Sequence, residues 1–412
     1  MPSDDRCPVM PFDHNSARHA ADPAGSYRQL REGHPVAYSE AHGGYWVLSG
    51  YAPVFDAARD DDVFSSARTP HGGEGLSVLI PKTPMHHHIP IEIDPPDFRK
   101  YRRILNAVTS PAAIAPLVDR ITHHTTWFID RIIEAGRCDF AEIIGVPAIT
   151  TVEWLGLPPQ EWSRYSFQHR TVLSAPKGSP DYVRATEVDL PYLTAQVRDV
   201  IAARRARPAD DLITYLLAQR IDDRPITDDE VFSMVELLLA GGTVTTSSLV
   251  SQALVWLYQH QDVRRRLIEQ PQLRERAVEE FLRYFSPTQA LARTVVQDVE
   301  FHGCLLRAGD RALLAWASAN RDPAGGFADP DQVDIERWPN RHVAFGVGIH
   351  RCAGSHVARA LALQMLGQIL DRMPDYVVDT ARMVPFPNQG ANVGFSSIPV
   401  TFTPGRRLLA DA

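Results

Sequence analysis

Apolar residues recur three and four positions apart through most of the chain after Pro96. The runs "DFRKYRRILNAV", "IAPLVDRITHHTTWFIDRIIEAG" and "LTAQVRDVIAARRAR" show the spacing, which predicts amphipathic helices. Before that point the pattern differs. "GHPVAYSEAHGGYWVLSGY" has short β-type runs broken by glycine and predicts a small twisted sheet, and Ser66 to Ile93 reads as loop. "ITDDEVFSMVELLLAGG" contains the clearest helix start: Thr227 stands three residues before Glu230, a capping-box pattern ahead of an apolar run. Continued to about Tyr258, that helix would be roughly 45 Å long, enough to cross a globule. "LRERAVEEFLRYF" is a further helix that ends before Ser286 and Pro287, and "GDRALLAWASANRDP" returns to strand and turn chemistry. No internal repeat, low-complexity tract or linker divides the chain. The expected fold is mainly α with minor β sheets, as a single domain over residues 1–412.

Composition narrows the function. With 412 residues the chain can bury a large core without a disulfide staple. Its 50 acidic against 42 basic side chains, a formal charge of −8, argue against a nucleic-acid partner. Four cysteines, Cys7, Cys138, Cys304 and Cys352, lie far apart and form no C-x-x-C pair, so neither a zinc knuckle nor a thioredoxin-like motif is expected. Cys7, Cys138 and Cys304 read as plain surface or core residues. The first 23 residues carry charges and prolines without an apolar segment, and no run reaches the ~18 apolar residues of a spanning helix. The expectation is a soluble, cytoplasmic protein of a reducing compartment, with no membrane partner.

Cys352 sits between a glycine-punctuated loop, "FGVGIH", and an amphipathic run that starts near Gly354. Gly346 and Gly348 allow the loop to fold back tightly. A helix N-terminus favours thiolate over thiol, so the sulfur suits a nucleophile or a metal ligand. His350 and His356 are near enough in sequence to serve a nucleophile as base.

The stretch "AFGVGIHRCAG" resembles the haem loop of the cytochrome P-450 family, F-G-x-G-x-H-x-C-x-G, with Phe345, Gly346, Gly348, His350, Cys352 and Gly354 at every fixed position. The resemblance implies a haem-thiolate enzyme with the haem between a long central helix and the helix after the cysteine. It makes Cys352 the axial ligand of the haem iron, Phe345 a packing shield and His350 a haem-propionate partner. Further motifs follow in the family's order from about Asp94 to the C-terminal strands. "EFLR" supplies Glu280 and Arg283, and Arg337 in "DIERWP" is similar to the third member of a buried charge triad. Arg293 and Arg102 match propionate-binding arginines, a role that suits guanidinium forks. Phe98 is a departure, standing where many members carry another propionate-binding histidine.

A second departure lies in the central helix. The family pattern A-G-x-(Asp/Glu)-Thr-Thr compares with "LAGGTVTTSSLVSQAL". The preferred register puts Gly242 at the glycine that leaves room for dioxygen, Val244 at the acid and Thr245 at the alcohol. The other register puts Thr243 and Val244 at the last two positions. Both lack the carboxylate. Proton supply is then open to three routes: water held by Thr243 and Thr245, a polar group of the substrate, or chemistry other than ordinary hydroxylation. Glu236, nine residues before Thr245, should face elsewhere.

Further expectations follow from the resemblance. The cofactors are haem b and O2, with electrons ultimately from NAD(P)H through a ferredoxin and ferredoxin reductase. Arg99, Lys100, Arg102, Arg103, Arg341, Arg351 and Arg359 form either a landing patch for that acidic partner or plainly solvated helix faces. Leu237, Ala240, Gly241, Ala290, Leu291, Val393 and Phe395, with the 165–190 region, would line a pocket for a small or medium hydrophobic substrate. His86, His87 and His88 read as a solvated loop, with a substrate contact or a metal site as alternatives, and "HGGEG" as a flexible turn. Oxidative coupling, desaturation or peroxide-driven oxidation stays open as a second outcome, and a haem sensor without turnover as a third.

Overall fold

The computed structural model describes residues 7–70, 77–83, 85–143 and 145–409. The expected helices form. They are α1 (Asp97–Thr109), α2 (Pro111–Ile133), α3 (Val146–Leu155), α4 (Trp162–Ser174), α5 (Leu190–Ala206), α6 (Asp228–Gly242), α7 (Thr245–Gln259), α8 (Arg274–Phe285) and α9 (Ser355–Arg372), with shorter turns between them. The capping box is present: Glu230 N–H donates to Thr227 Oγ1 at 3.2 Å, and Thr227 N–H donates to Glu230 Oε2 at 2.8 Å. The early β-type runs pair as β1 (Val36–Ser39) and β2 (Tyr45–Leu48). They join β3 (Phe64–Ser65), β4 (Leu291–Val295) and β5 (Arg311–Leu314) in the order β1-β2-β5-β4-β3, with β5 parallel to β2. "HGGEG" lies outside the described residues.

Two apolar clusters organise the helices. One joins α2, α7, α8 and α9 through residues such as Ile129, Leu257, Phe281 and Ile369, all 1% exposed or less. The other joins α1, α3, α5 and α6 through Leu105, Leu155, Val197 and Leu239. Burying one such leucine or isoleucine contributes about 1.5–3 kcal/mol. The central helical run therefore passes from the second cluster into the first.

It does not do so as one continuous helix. Thr243 (φ −92°, ψ −22°) and Val244 (φ −121°, ψ −42°) interrupt it between α6 and α7. Two glycines precede the interruption. Thr243 Oγ1 donates to the Leu239 carbonyl and Thr245 Oγ1 to the Gly241 carbonyl, each at 2.9 Å, and hydroxyls bonded back to the preceding turn compete with the helical ladder.

Cys7 and Cys304 correct another expectation. They are joined as a disulfide, with Cα atoms 5.6 Å apart across 297 residues, and both are buried. The bond ties the chain's first described residue to the hairpin of Val299–Phe301 and Cys304–Leu306, where two unrelated core positions had been expected.

Candidate active site

The loop before α9 is built to present Cys352. Gly346 and Gly348 have φ of +66° and +72°, in the left-handed region, and a Cβ at Gly348 would lie 2.4 Å from the Ala58 carbonyl oxygen, so no side chain fits there. Gly346 N–H donates to Val343 O (2.9 Å) and Cys352 N–H to Phe345 O (2.8 Å), closing the loop on itself. Asn320 Oδ1 accepts from Val343 N–H at 2.7 Å, and Asn320 Nδ2 donates to Ser286 Oγ at 2.8 Å, pinning the loop's start to the end of α8. Asn320 was not among the expected site residues, although "ANRDP" marked its segment. The Cys352 side chain is exposed to open space within the fold. Burial nevertheless raises its thiol pKa, while the Gly354 N–H and the charges of Arg102, Arg351 and Arg359 act in the opposite direction.

Behind the loop, Glu280 and Arg283 are wholly buried and joined by two 2.8 Å hydrogen bonds. Arg337 Nε approaches the same carboxylate at 3.1 and 3.2 Å, and Asp334 N–H and Asn340 Nδ2 complete its donors. Arg283 in turn donates to the carbonyls of Asn320, Pro330 and Gln332. Three separate segments, α8, Asn320 and residues 330–340, meet on this one ion cluster, so the triad positions the loop. Phe345 packs under the Arg359 guanidinium, 4.6 Å from its ring centroid, and Arg359 is held by Glu279 at 2.6 Å.

Three cationic or polar side chains gather without the partners their burial demands. Both nitrogens of His350 are buried and unbonded among the described residues. Its pKa is lowered to about 2 by burial, then by Arg293 and Arg102. Arg293 is 5% exposed, with a pKa lowered to about 10 by burial, and among the described residues its guanidinium donates only to the adjacent Ala292 carbonyl. Half-buried Arg102 reaches Asn106 alone among the described residues, at 2.8 Å. Two guanidinium groups and an imidazole left in this state call for a dianionic ligand. The two propionates of a haem would meet that requirement, and the exposed Cys352 sulfur would hold its iron.

The helix interruption carries the other candidate residues. Thr245 is half-buried, while Thr243 and Val244 are buried. Of the two threonine hydroxyls beside Val244, that of Thr245 is thus the more accessible. The two glycines before the interruption differ in their surroundings. A Cβ at Gly242 would fall 2.5 Å from Thr151 Oγ1, so that glycine admits α3, whereas Gly241 is exposed and would meet nothing within 4 Å.

The family model described as cytochrome P450 matches residues 191–389. The chain is 34% identical to a steroid C26-monooxygenase of Mycolicibacterium smegmatis over 93% of its own length and 94% of that protein. The chain belongs to the cytochrome P450 family. It is also 30% identical to pentalenic acid synthase of Streptomyces avermitilis, over 92% of the chain and 94% of that protein. The fold superposes on the crystal structure of CYP109E1 from Bacillus megaterium in complex with testosterone, with a TM-score of 0.83 and 27% identity over 96% of this chain and all of that one. The fold is thus that of a bacterial cytochrome P450 and the enzyme a monooxygenase, an oxidoreductase that uses haem and O2.

In the frame of a P450, the remaining expected residues separate. Leu237, Ala240 and Gly241 share one face of α6, where they are partly or fully exposed. Ala290 lines a cavity of about 600 Å³ together with Val78, Ile80, Leu173, Leu313 and Ala391. Leu291 is half-buried, and buried Val393 is held to the segment before β4 by its N–H to Pro287 O at 3.1 Å. Phe395 lines a different, smaller cavity. Residues 78–81 and parts of 387–391, which carry no motif, also line that cavity, whose walls include no residue of α6, α7 or the Cys352 loop.

His86, His87 and His88 do not form a solvated loop. His86 bonds Thr194 Oγ1 at 2.8 Å, His87 bonds the Glu92 carbonyl at 3.2 Å, and His88 is 7% exposed. Among the described residues no group of three or more His, Cys, Asp or Glu gathers to hold a metal ion. The basic patch thins as well. Lys100 pairs with Asp97 (2.9 Å) and Asp222 (2.7 Å), Arg359 with Glu279, and Arg102 lies beside His350. Exposed Arg99, Arg103, Arg341 and Arg351 remain without ion pairs among the described residues. Asp228–Gln259 is apolar enough by length and composition to cross a membrane, yet it is mostly buried inside the protein.

Proposed function

We propose that this chain, as one domain over residues 1–412, inserts one atom of O2 into a medium-sized hydrophobic substrate. Electrons would come from a ferredoxin and its reductase, ultimately from NAD(P)H, in the cytoplasm. The observation that carries the reading is the convergence of the open Cys352 sulfur with three underbonded groups, His350, Arg102 and Arg293. Bound there, haem ligated by a thiolate supplies an oxidant strong enough for unactivated C–H bonds.

The chain's own residues do the rest. Cys352 offers the sulfur, with the Gly354 N–H and nearby arginines favouring its deprotonated form. Arg102, Arg293 and His350 orient the porphyrin through its carboxylates. Gly241 leaves room beside the reacting centre, and Thr245 Oγ1 holds a proton on the open face, where it now rests on the Gly241 carbonyl. Buried Val244 holds no proton, and Thr243, bonded back to its preceding turn as Thr245 is, is 1% exposed. Thr245 and water beside it are therefore the proton route we assign.

The cavity of about 600 Å³ beside Ala290 supports a substrate of steroid or terpenoid size. The relative that oxidises steroids at C26 and the neighbour that holds testosterone favour the same class. Exposed Arg99, Arg103, Arg341 and Arg351 are the side chains we assign to the acidic redox partner. The missing helix carboxylate favours a second reading, desaturation or oxidative coupling on the same haem. Product analysis tests both, comparing turnover with ferredoxin, reductase and NAD(P)H against peroxide alone. A hydroxylated product made only with the redox partners supports the first reading. A coupled or desaturated product supports the second, and no product of either kind removes both.

A further inference from the structure

β3 and β4 pair antiparallel, with Phe64 opposite Val295 and Ser65 opposite Thr294. Continuing that register by one position brings Ser66 opposite Arg293. Residues directly opposite one another share a face of the sheet, with Cβ atoms about 4.5–5.5 Å apart. Arg293 is the guanidinium beside His350 whose one acceptor among the described residues is the Ala292 carbonyl.

Ser66 is left in the same condition. It is 5% exposed, and its Oγ is buried without a hydrogen bond among the described residues. Its neighbours on the chain are engaged: Ser65 Oγ donates to Asp94 Oδ2, and the backbone N–H of Ser66 donates to Asp94 Oδ1 at 2.9 Å. Asp94 also lies within electrostatic reach of Arg293, yet no hydrogen bond joins the two among the described residues. Asp94 therefore fixes the backbone of Ser66 and leaves the hydroxyl uncommitted. A buried hydroxyl in that state is costly and calls for a partner. Water would satisfy the hydroxyl but would leave the Arg293 charge unanswered, whereas one anionic oxygen answers both.

We propose that Ser66 is a further haem-binding residue, whose hydroxyl donates to the carboxylate that Arg293 takes. The proposal rests on the reading that Arg102, Arg293 and His350 hold the haem carboxylates. It gives the porphyrin edge a donor in a chain whose residue 98 is a phenylalanine and offers none.

Haem loss from the holoenzyme to a haem-scavenging apoprotein, followed by decay of the Soret band, tests the assignment. Ser66→Ala should lose haem about tenfold faster than the parent, since one hydrogen bond to a charged group carries roughly that factor. The urea midpoint of the haem-free protein should not fall, because that form gains nothing from an unbonded hydroxyl. The propionate-bending band in the resonance Raman spectrum of the holoenzyme should shift. With haem whose carboxylates are methyl esters, variant and parent should differ by less than about twofold, the charge having gone. A parental rate of loss, a haem-free form weakened as much as the holoenzyme, an unshifted band, or a tenfold gap that persists with the diester would each overturn the proposal. Arg293→Ala separates the two readings. Faster loss in that variant with a parental rate in Ser66→Ala would overturn the role of Ser66 alone, whereas parental retention in Arg293→Ala would overturn the haem-carboxylate reading and this proposal with it.

Discussion

The Phe98 ring stands 4.3 Å from the imidazole of His350, tilted by 54°. Phe98 is 2% exposed, so it works as a buried wall behind the histidine where many relatives would add another polar group. Phe98 would offer a bound porphyrin no hydrogen bond, and it adds an apolar surface beside the imidazole. Phe98→Ala should destabilise the protein by about 3 kcal/mol, the usual cost of emptying a buried aromatic site, and speed haem loss. Decay of the Soret band in the presence of a haem-scavenging apoprotein measures the second effect. Retention equal to the parent's would show that His350 needs no such wall.

Thr245→Ala removes the hydroxyl on the open face without touching the propionate-side residues. Haem content and the carbon monoxide spectrum should match the parent. Peroxide formed per NAD(P)H consumed should rise several-fold as product falls. Unaltered coupling would move the proton route away from Thr245 and towards the substrate.

Glu280 holds two guanidinium groups that are otherwise buried. Glu280→Ala strands both and should cost about 3–5 kcal/mol, as breaking a buried ion pair does. Urea denaturation of the haem-free and haem-loaded protein reads the loss. A cost below 1 kcal/mol in both forms would mean that the triad does not position the loop.

Glu236 is 5% exposed on α6, and burial raises its pKa from 4.5 to about 7 despite Arg198. The unfolded chain releases this proton near 4.5 and the folded one near 7, so folding retains a proton in that interval. Stability should fall as pH rises from 4.5 to about 7 and stay lower above it, by roughly 3 kcal/mol from this group. Glu236→Gln lacks the slope. Its denaturation midpoint should gain on the parent's between pH 5 and pH 8, and a constant difference between the two proteins would show that Glu236 is not held protonated.

Local motifs were legible because their chemistry is carried by neighbours in sequence. The capping box at Thr227 and Glu230, the glycines that bend the loop before Cys352 and the Glu280–Arg283 pair each span ten residues or fewer, and all adopt the arrangement their spacing requires. Arg337 was legible only through the family resemblance, since nothing local ties it to Glu280. The helix interruption escaped notice because an apolar run with two glycines and three threonines fits a continuous helix equally well. It was decided by hydroxyls that bond backwards and by two cores that the halves must fill.

By itself, then, the sequence determined the helical class, the glycine-bent loop that presents Cys352, the Glu280–Arg283 pair and the absence of a carboxylate beside Thr245. Tertiary packing alone decided the rest. It joined Cys7 to Cys304, buried the histidine run, filled the space at Gly242 with Thr151 and left Gly241 open. The division has a physical basis. Backbone conformation and charge pairing within a turn or two depend on nearby residue types, whereas which face of a helix stays open depends on side chains brought in from segments a hundred or more residues away.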